Sequence, residues 1–185
     1  MELDAIRERV TALAAEIDAP PHAIPTFGFS RDLAWPHIEE ADGVMSWVVV
    51  ERGREIQRRS TTDITELLYW VFQEITGFMG TNWEANNRVP LVDTRVLGFS
   101  RTLALLNRLD GAWRDRELSE FVAVLRDYPL REDYDDPAAV TSALVESGLR
   151  ARRLPGPELD ETMPQVRALL AATGGGSRES RHQDR

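Results

Sequence analysis

WPHIEEADGVMSWVVVERGREIQRRS, Trp35 to Ser60, is the stretch that decides the fold. It reads as three extended segments, Trp35–Glu40, Val44–Glu51 and Arg54–Ser60, separated by Ala41-Asp42-Gly43 and Arg52-Gly53. Asp-Gly and Arg-Gly supply the positive-φ position that a tight hairpin turn requires, so the three segments form an antiparallel meander. The middle segment is apolar on both faces, with Val44, Val48 and Val50 on one side and Met45, Trp47 and Val49 on the other. That pattern marks a central strand with both faces at least partly covered. The third segment carries Arg54, Arg58 and Arg59, charges that suit an edge strand guarded against sheet-to-sheet association.

The next stretch, DITELLYWVFQEITGFM from Asp63 to Met79, predicts a helix with Asp63 as N-cap and Glu66 completing a D-x-x-E capping pair. At 100° per residue, Ile64, Leu67, Leu68, Val71, Phe72, Ile75, Phe78 and Met79 share one broad face, which packs on the meander. Gly77 or Gly80 is the expected end. Tyr69 and Trp70 fall on the flanks of this face. Either both rings are covered and their polar atoms paired, or Trp70, beside Asp63, Glu66 and Glu74, is an aromatic anchor at a protein-binding surface.

Upstream, Leu3, Ile6, Val10, Leu13 and Ile17 recur at helical spacing and Asp18–Pro21 stops that helix. Ile24–Ser30 is a short, irregular extended candidate. Downstream, Thr94–Leu109 and Ala112–Tyr128 read as amphipathic helices, with Asp110-Gly111 between them and Pro129 after them. Arg131–Asp136 reads as an acidic linker and Pro137–Leu149 as a further helix. Pro157–Ala172 predicts a last helix, interrupted at Pro164, and the Gly-rich tail from Thr173 predicts disorder. The fold class is α+β: a short antiparallel β-meander packed on a helix, followed by a helical C-terminal half. The organisation divides into an N-terminal helix and linker (1–23), an α+β domain (24–130), a helical C-terminal extension (131–173) and a tail (174–185).

The chain has 185 residues, no Cys, and a net charge of −9 from 22 basic and 31 acidic residues. Disulfides, thiolate nucleophiles and cysteine metal sites are excluded. The acidic balance opposes phosphate backbones and favours basic partners, although solubility alone accounts for it equally well. The sequence contains neither an apolar run long enough to span a bilayer nor a signal-peptide pattern at its start, so a cytoplasmic location is expected.

The search for chemistry is negative. His22 and His182 lie in loop and tail, and His37 with Glu39 reads as an exposed same-face pair rather than a metal or acid–base site. Ligands for zinc are lacking. The serine of Gly98–Ser100 sits inside a helix, away from any strand-to-helix elbow, and no phosphate-loop pattern occurs. Glu51, Glu74, Glu84 and Asp93 could serve a carboxylate-dependent hydrolase; ion pairing with Arg52, Arg88 and Arg95 is the simpler assignment. The cluster Arg52, Arg54, Arg58 and Arg59 alternates with Glu51 and Glu55 and lacks interleaved aromatics, which fits a soluble edge strand better than a nucleic-acid surface. No catalytic, cofactor-binding or metal-binding residue is assigned, and no cofactor is expected.

The order VVVERG followed by GREIQRRSTTDITELLYWVFQEIT resembles the Imm63 family of immunity proteins from bacterial polymorphic toxin systems. The resemblance rests on Val48–Gly53, Arg58-Arg59, Glu66–Phe72, Trp83-Glu84 and Arg88, continues through Asp93, Arg95, Phe99, Leu103, Leu105, Leu106, Trp113 and Tyr128-Pro129, and begins near Pro25–Ser30. It covers about residues 24–130. Trp83 stands where Tyr is usual and Tyr128 where His is common. The resemblance implies a non-enzymatic protein that binds a cognate toxin domain and occludes its active site or substrate path. An interaction module without a toxin partner is the other non-enzymatic reading. A basic, nuclease-like toxin would suit the acidic charge, with no role for nucleic acid or membrane in this chain itself. The residues expected to meet the toxin are the aromatics Trp70 and Trp83, with Glu74 and Glu84 beside them. Two acidic clusters join them: Glu39, Glu40 and Asp42 at the first hairpin, and Asp133, Asp135 and Asp136 in the linker.

Overall fold

The computed structural model describes residues 2–88, 92–130 and 156–173, and position 142. The acidic linker with Asp133, Asp135 and Asp136, the helix expected over 137–149 and the tail from 174 lie outside the described residues. The chain divides into two compact units, Met1–Met79 and Gly80–Arg185.

The first unit opens with α1 (Leu3–Glu16), which buries Ile6, Val10 and Ala14. Ile17 is buried just beyond its end, and Asp18 leaves the helix at a φ of 55°. A single 3₁₀ turn, Pro21–Ala23, leads into β1 (Thr26–Phe27). The meander follows as β2 (Trp35–Ala41), β3 (Val44–Glu51) and β4 (Arg54–Thr61), within a residue of the expected bounds. The sheet order is β1-β2-β3-β4. Both hairpin turns place two residues at positive φ: Asp42 at 52° and Gly43 at 79°, then Arg52 at 53° and Gly53 at 70°. That is the geometry whose twist matches the flanking strands.

Met45, Trp47 and Val49 on one face of β3 are buried, and so are Ser46 and Val48 on the other. A strand covered on both sides needs two layers above and below the sheet. α1 packs on β2, and the other buried stripe in this unit belongs to the first turns of α2 (Ile64–Asn86). Leu67, Leu68, Val71, Phe72 and Ile75 of α2 are each at most 2 % exposed. The expected N-cap is in place, with the Asp63 carboxylate accepting from the Thr65 N–H at 2.8 Å. Tyr69 is buried as well, while Trp70 is half-buried.

Two expectations for α2 are corrected. Phe78 is exposed at the rim, where its ring meets His22 edge-on with centroids 5.5 Å apart, rather than in the core. The helix also runs through Gly77 and Gly80 to Asn86. Gly80 serves close packing instead of termination, because a Cβ there would lie 2.6 Å from the Gly98 carbonyl oxygen. A glycine that lets two backbones approach need not end its own helix.

In the second unit, α3 (Thr94–Leu109) and α4 (Gly111–Asp127) share a sharp junction at Asp110. The Asp110 carboxylate accepts from the Ala112 N–H at 2.7 Å and so caps α4. Phe99 and Phe121 stack face to face with centroids 3.9 Å apart. The last helix, α5 (Gly156–Ala172), contains Pro164 and continues through it, where an interruption was expected. Met163, Val166 and Leu170 of α5 close a core with Val92, Val96 and Leu97, flanked by Trp83 and Leu159. Burial of that apolar stripe offsets the hydrogen bond that proline removes from the helix.

Candidate partner-binding surface

On one face of the meander, Glu39 of β2 and Arg58 of β4 reach across β3. His37, Val48 and Arg58 occupy one cross-strand row; Glu39, Ser46 and Ser60 occupy the next. The His37 Nε2 atom lies 2.9 Å from Glu39 Oε1, Arg58 Nη2 donates to Glu39 Oε2 at 2.9 Å, and the same guanidinium donates to both oxygens of Glu55. The Ser46 and Ser60 hydroxyls are hydrogen-bonded at 2.9 Å. Hydrogen bonding to His37, opposed by partial burial and aided by Arg58, holds the Glu39 carboxyl below its ordinary range. Its bond to Arg58 does the same for Glu55, and the two carboxylates together raise the Arg58 guanidinium further.

The His37–Glu39 pair is therefore not the exposed pair expected from the sequence. His37 is only 3 % exposed. β1 pairs parallel to β2 with Thr26 opposite His37, so β2 is an interior strand at that point. Glu39 has its charge neutralised by Arg58, and Glu40 is turned back on the hairpin, its carboxylate accepting from the Gly43 N–H at 3.0 Å. Asp42 is exposed at the turn, where Glu39 and Glu40 are half-buried.

On α2, Glu74 is exposed beside half-buried Trp70. In the second unit, the Trp83 indole N–H donates to Glu158 Oε2 of α5 at 3.0 Å. The Arg101 guanidinium stands 6.0 Å from the Trp83 ring centroid and pairs with Glu158 and Glu161 at 3.7 and 3.3 Å. Arg101 is 6 % exposed while both carboxylates keep an open side, so this is a partly covered polar knot joining α3, α5 and the end of α2. Glu84 is buried and accepts from Arg88 Nε at 3.0 Å. Its carboxylate is engaged inside the unit instead of projecting as a rim charge. Asp93 caps α3 through the Arg95 N–H and binds the Arg95 side chain at 2.8 Å. Glu51 lies 4.0 Å from Arg52.

The ion pairs expected for Glu51, Glu84 and Asp93 are thus present. Among the described residues, no group of three His, Asp or Glu side chains is placed to hold a metal ion, and no helix is long and apolar enough to cross a membrane. What the geometry offers is surface: two hairpin tips, an exposed edge strand, and the flank of α2 carrying Trp70 and Glu74. Sequence reasoning passed over two exposed apolar side chains near the second hairpin, Leu33 and Ile56. A signal for Ile56 was available, since an Ile alone in a strand otherwise polar on both faces has no core to join.

Residues 41–122 match the Imm63 family, immunity protein 63. The matched region begins at the first hairpin and takes in β3, β4, α2, α3 and most of α4. It lies inside the stretch on which the resemblance was read. β1, most of β2 and α5 fall outside it. No curated protein and no solved structure matches the chain.

Proposed function

We propose that this chain is an immunity protein of a polymorphic toxin system, which binds a cognate toxin domain and neutralises it without chemistry of its own. The observation that carries the reading is the Imm63 match over residues 41–122. The ion pairing of the best-placed carboxylates supports a binding role over a hydrolytic one, because a paired carboxylate is a poor nucleophile or base. The net charge of −9 supports a basic, nuclease-like toxin, whose encounter it would accelerate at low salt. Neutralisation then takes place in the cytoplasm, by covering the toxin's active site or its path to substrate. Trp70, Glu74 and Asp42 remain solvent-facing enough to contribute to such a contact; Trp83 and Glu84 are committed within their own unit.

Co-expression tests this reading. The C-terminal domain encoded by the gene immediately upstream should arrest growth alone and be tolerated when this chain is co-produced, and the two purified proteins should form a stoichiometric complex. Toxicity that persists with the chain present at high level would refute it.

A further inference from the structure

Beside the second hairpin, Asp32, Leu33 and Ala34 hold φ of 61°, 58° and 57° in succession. This is the left-handed region, which residues with a Cβ enter at a cost and rarely as a run. The segment is fixed there: the Asp32 N–H donates to Ser30 Oγ at 2.9 Å, the Trp35 N–H to the Asp32 carbonyl at 3.0 Å, and the Ala34 N–H to the Val50 carbonyl at 2.9 Å. The Gly53 N–H of the hairpin donates to Asp32 Oδ1 at 3.4 Å. Yet the residue at the centre of this costly arrangement, Leu33, is 86 % exposed and recovers almost no burial. The same hairpin places Arg52 at a φ of 53°, a turn position that Asn, Asp and Gly occupy at lower cost, with its side chain 91 % exposed. Its pair with Glu51 is too open to offset that cost.

Glu51, Arg52, Arg54 and Ile56 line a shallow hollow of about 420 Å³ at this end of the sheet. Ile56 is the extra residue of a β-bulge, since the register passes from Val49 opposite Gln57 to Val50 opposite Glu55. The bulge leaves Ile56 57 % exposed. Two arginines face one glutamate here, in a chain that is acidic as a whole, and Arg54 makes no ion pair among the described residues.

We propose that Leu33 and the Glu51–Ile56 hairpin form the docking surface for a segment of the toxin domain that carries a carboxylate next to an apolar side chain. The proposal rests on the immunity reading above and names the local contact; the overall charge acts separately, on encounter. Guanidinium groups present a fork that matches a carboxylate, and Ile56 and Leu33 supply apolar surface that only a partner can bury. Because the loop is already held in its strained form, binding avoids the ordering cost a flexible loop would add. Glu51 inside the hollow disfavours a phosphate chain, and the hollow has no aromatic ring on which a base could stack.

The test separates strain from structure. Asn tolerates the left-handed region, so Leu33→Asn and Arg52→Asn should melt at or above the parent temperature. Each should nevertheless weaken binding to the inactivated C-terminal domain from the upstream gene by about tenfold or more, measured by titration calorimetry. Arg54→Glu should weaken it more than Arg54→Gln, with the gap narrowing as salt rises. Affinity unchanged in all four variants overturns the proposal while leaving the immunity reading intact. Affinity lost only in step with melting temperature also overturns it, because the residues would then be structural. A parent protein that fails to bind the domain overturns both. Binding of a single-stranded DNA oligomer by the parent, abolished by Arg54→Gln, would replace the protein occupant with nucleic acid.

Discussion

Gly80 of α2 and Gly98 of α3 face each other so closely that only one of them tolerates a methyl group. A Cβ on Gly80 would stand 2.6 Å from the Gly98 carbonyl oxygen, a backbone atom that cannot swing aside, whereas a Cβ on Gly98 meets nothing nearer than 3.8 Å. Gly80→Ala should therefore destabilise the protein by about 1–3 kcal/mol through overpacking. Gly98→Ala should be neutral or stabilising by about 0.5–1 kcal/mol, since alanine is the better helix former. Urea unfolding of the two single variants checks the asymmetry; equal losses would show that the crossing is not the constraint.

Arg95 joins two helix ends. Its guanidinium donates to the Tyr128 and Pro129 carbonyls at 2.6 and 3.2 Å while holding Asp93, the cap of α3, at 2.8 Å. The bond to Asp93 raises the Arg95 guanidinium above its ordinary range. Asp93→Ala removes both the cap and the ion pair and should cost about 0.5–2 kcal/mol. Arg95→Ala should cost about 1 kcal/mol, because the carbonyls it releases can turn to water. The double variant should lose less than the sum, as expected for residues sharing one network. Additive losses in a denaturant series would mean that the two act independently.

Much of this architecture is legible in the sequence, and the failures have a common cause. The meander bounds follow from local chemistry, since Asp42-Gly43 and Arg52-Gly53 set their turns without outside help. The same holds for the cap at Asp63. What stays hidden depends on partners far along the chain. His37 is buried on a strand that a two-residue partner makes interior, a pairing that no periodicity announces. Gly80 continues a helix because of Gly98, and Trp83 meets Glu158 across 75 positions of sequence. Trp83 is half-buried and Glu84 buried, and a half-apolar helix flank reads alike whether another helix of the same unit or a partner covers it.

Acid should loosen the sheet through Glu39. Its folded carboxyl is held below the ordinary range by His37 and Arg58. The resulting stability is present above the unfolded carboxylate pKa and is lost as pH falls through the depressed folded value. Because Glu39 is partly exposed, the contribution is small, about 0.2–1 kcal/mol. Glu39→Gln should thus melt lower than the parent near neutral pH, and the gap should close as pH falls through the depressed folded value. Parallel melting curves, with the same gap at every pH, would place the effect of Glu39 outside its ionisation.

Trp83 offers the sharpest separation between stability and partner contact. Its indole N–H is bound to Glu158, its ring lies under Arg101, and it borders the core of Val96, Leu97, Val166 and Leu170. Trp83→Phe keeps most of the apolar volume and deletes the donor, so it should cost about 1.5–3 kcal/mol, the range for a hydrogen bond to a charged group. Trp83→Ala should cost about 3–5 kcal/mol by adding a cavity between α3 and α5. Neither loss should appear in the affinity for the toxin domain when binding is measured well below the melting temperature, because the ring is engaged inside its own unit. In Trp70→Ala, an α2 flank substitution, the order should reverse, with a small change in stability and a loss of about 2 kcal/mol or more in binding if the flank meets the partner. A Trp83→Phe variant that melts like the parent yet binds the toxin domain more weakly would return Trp83 to the interface.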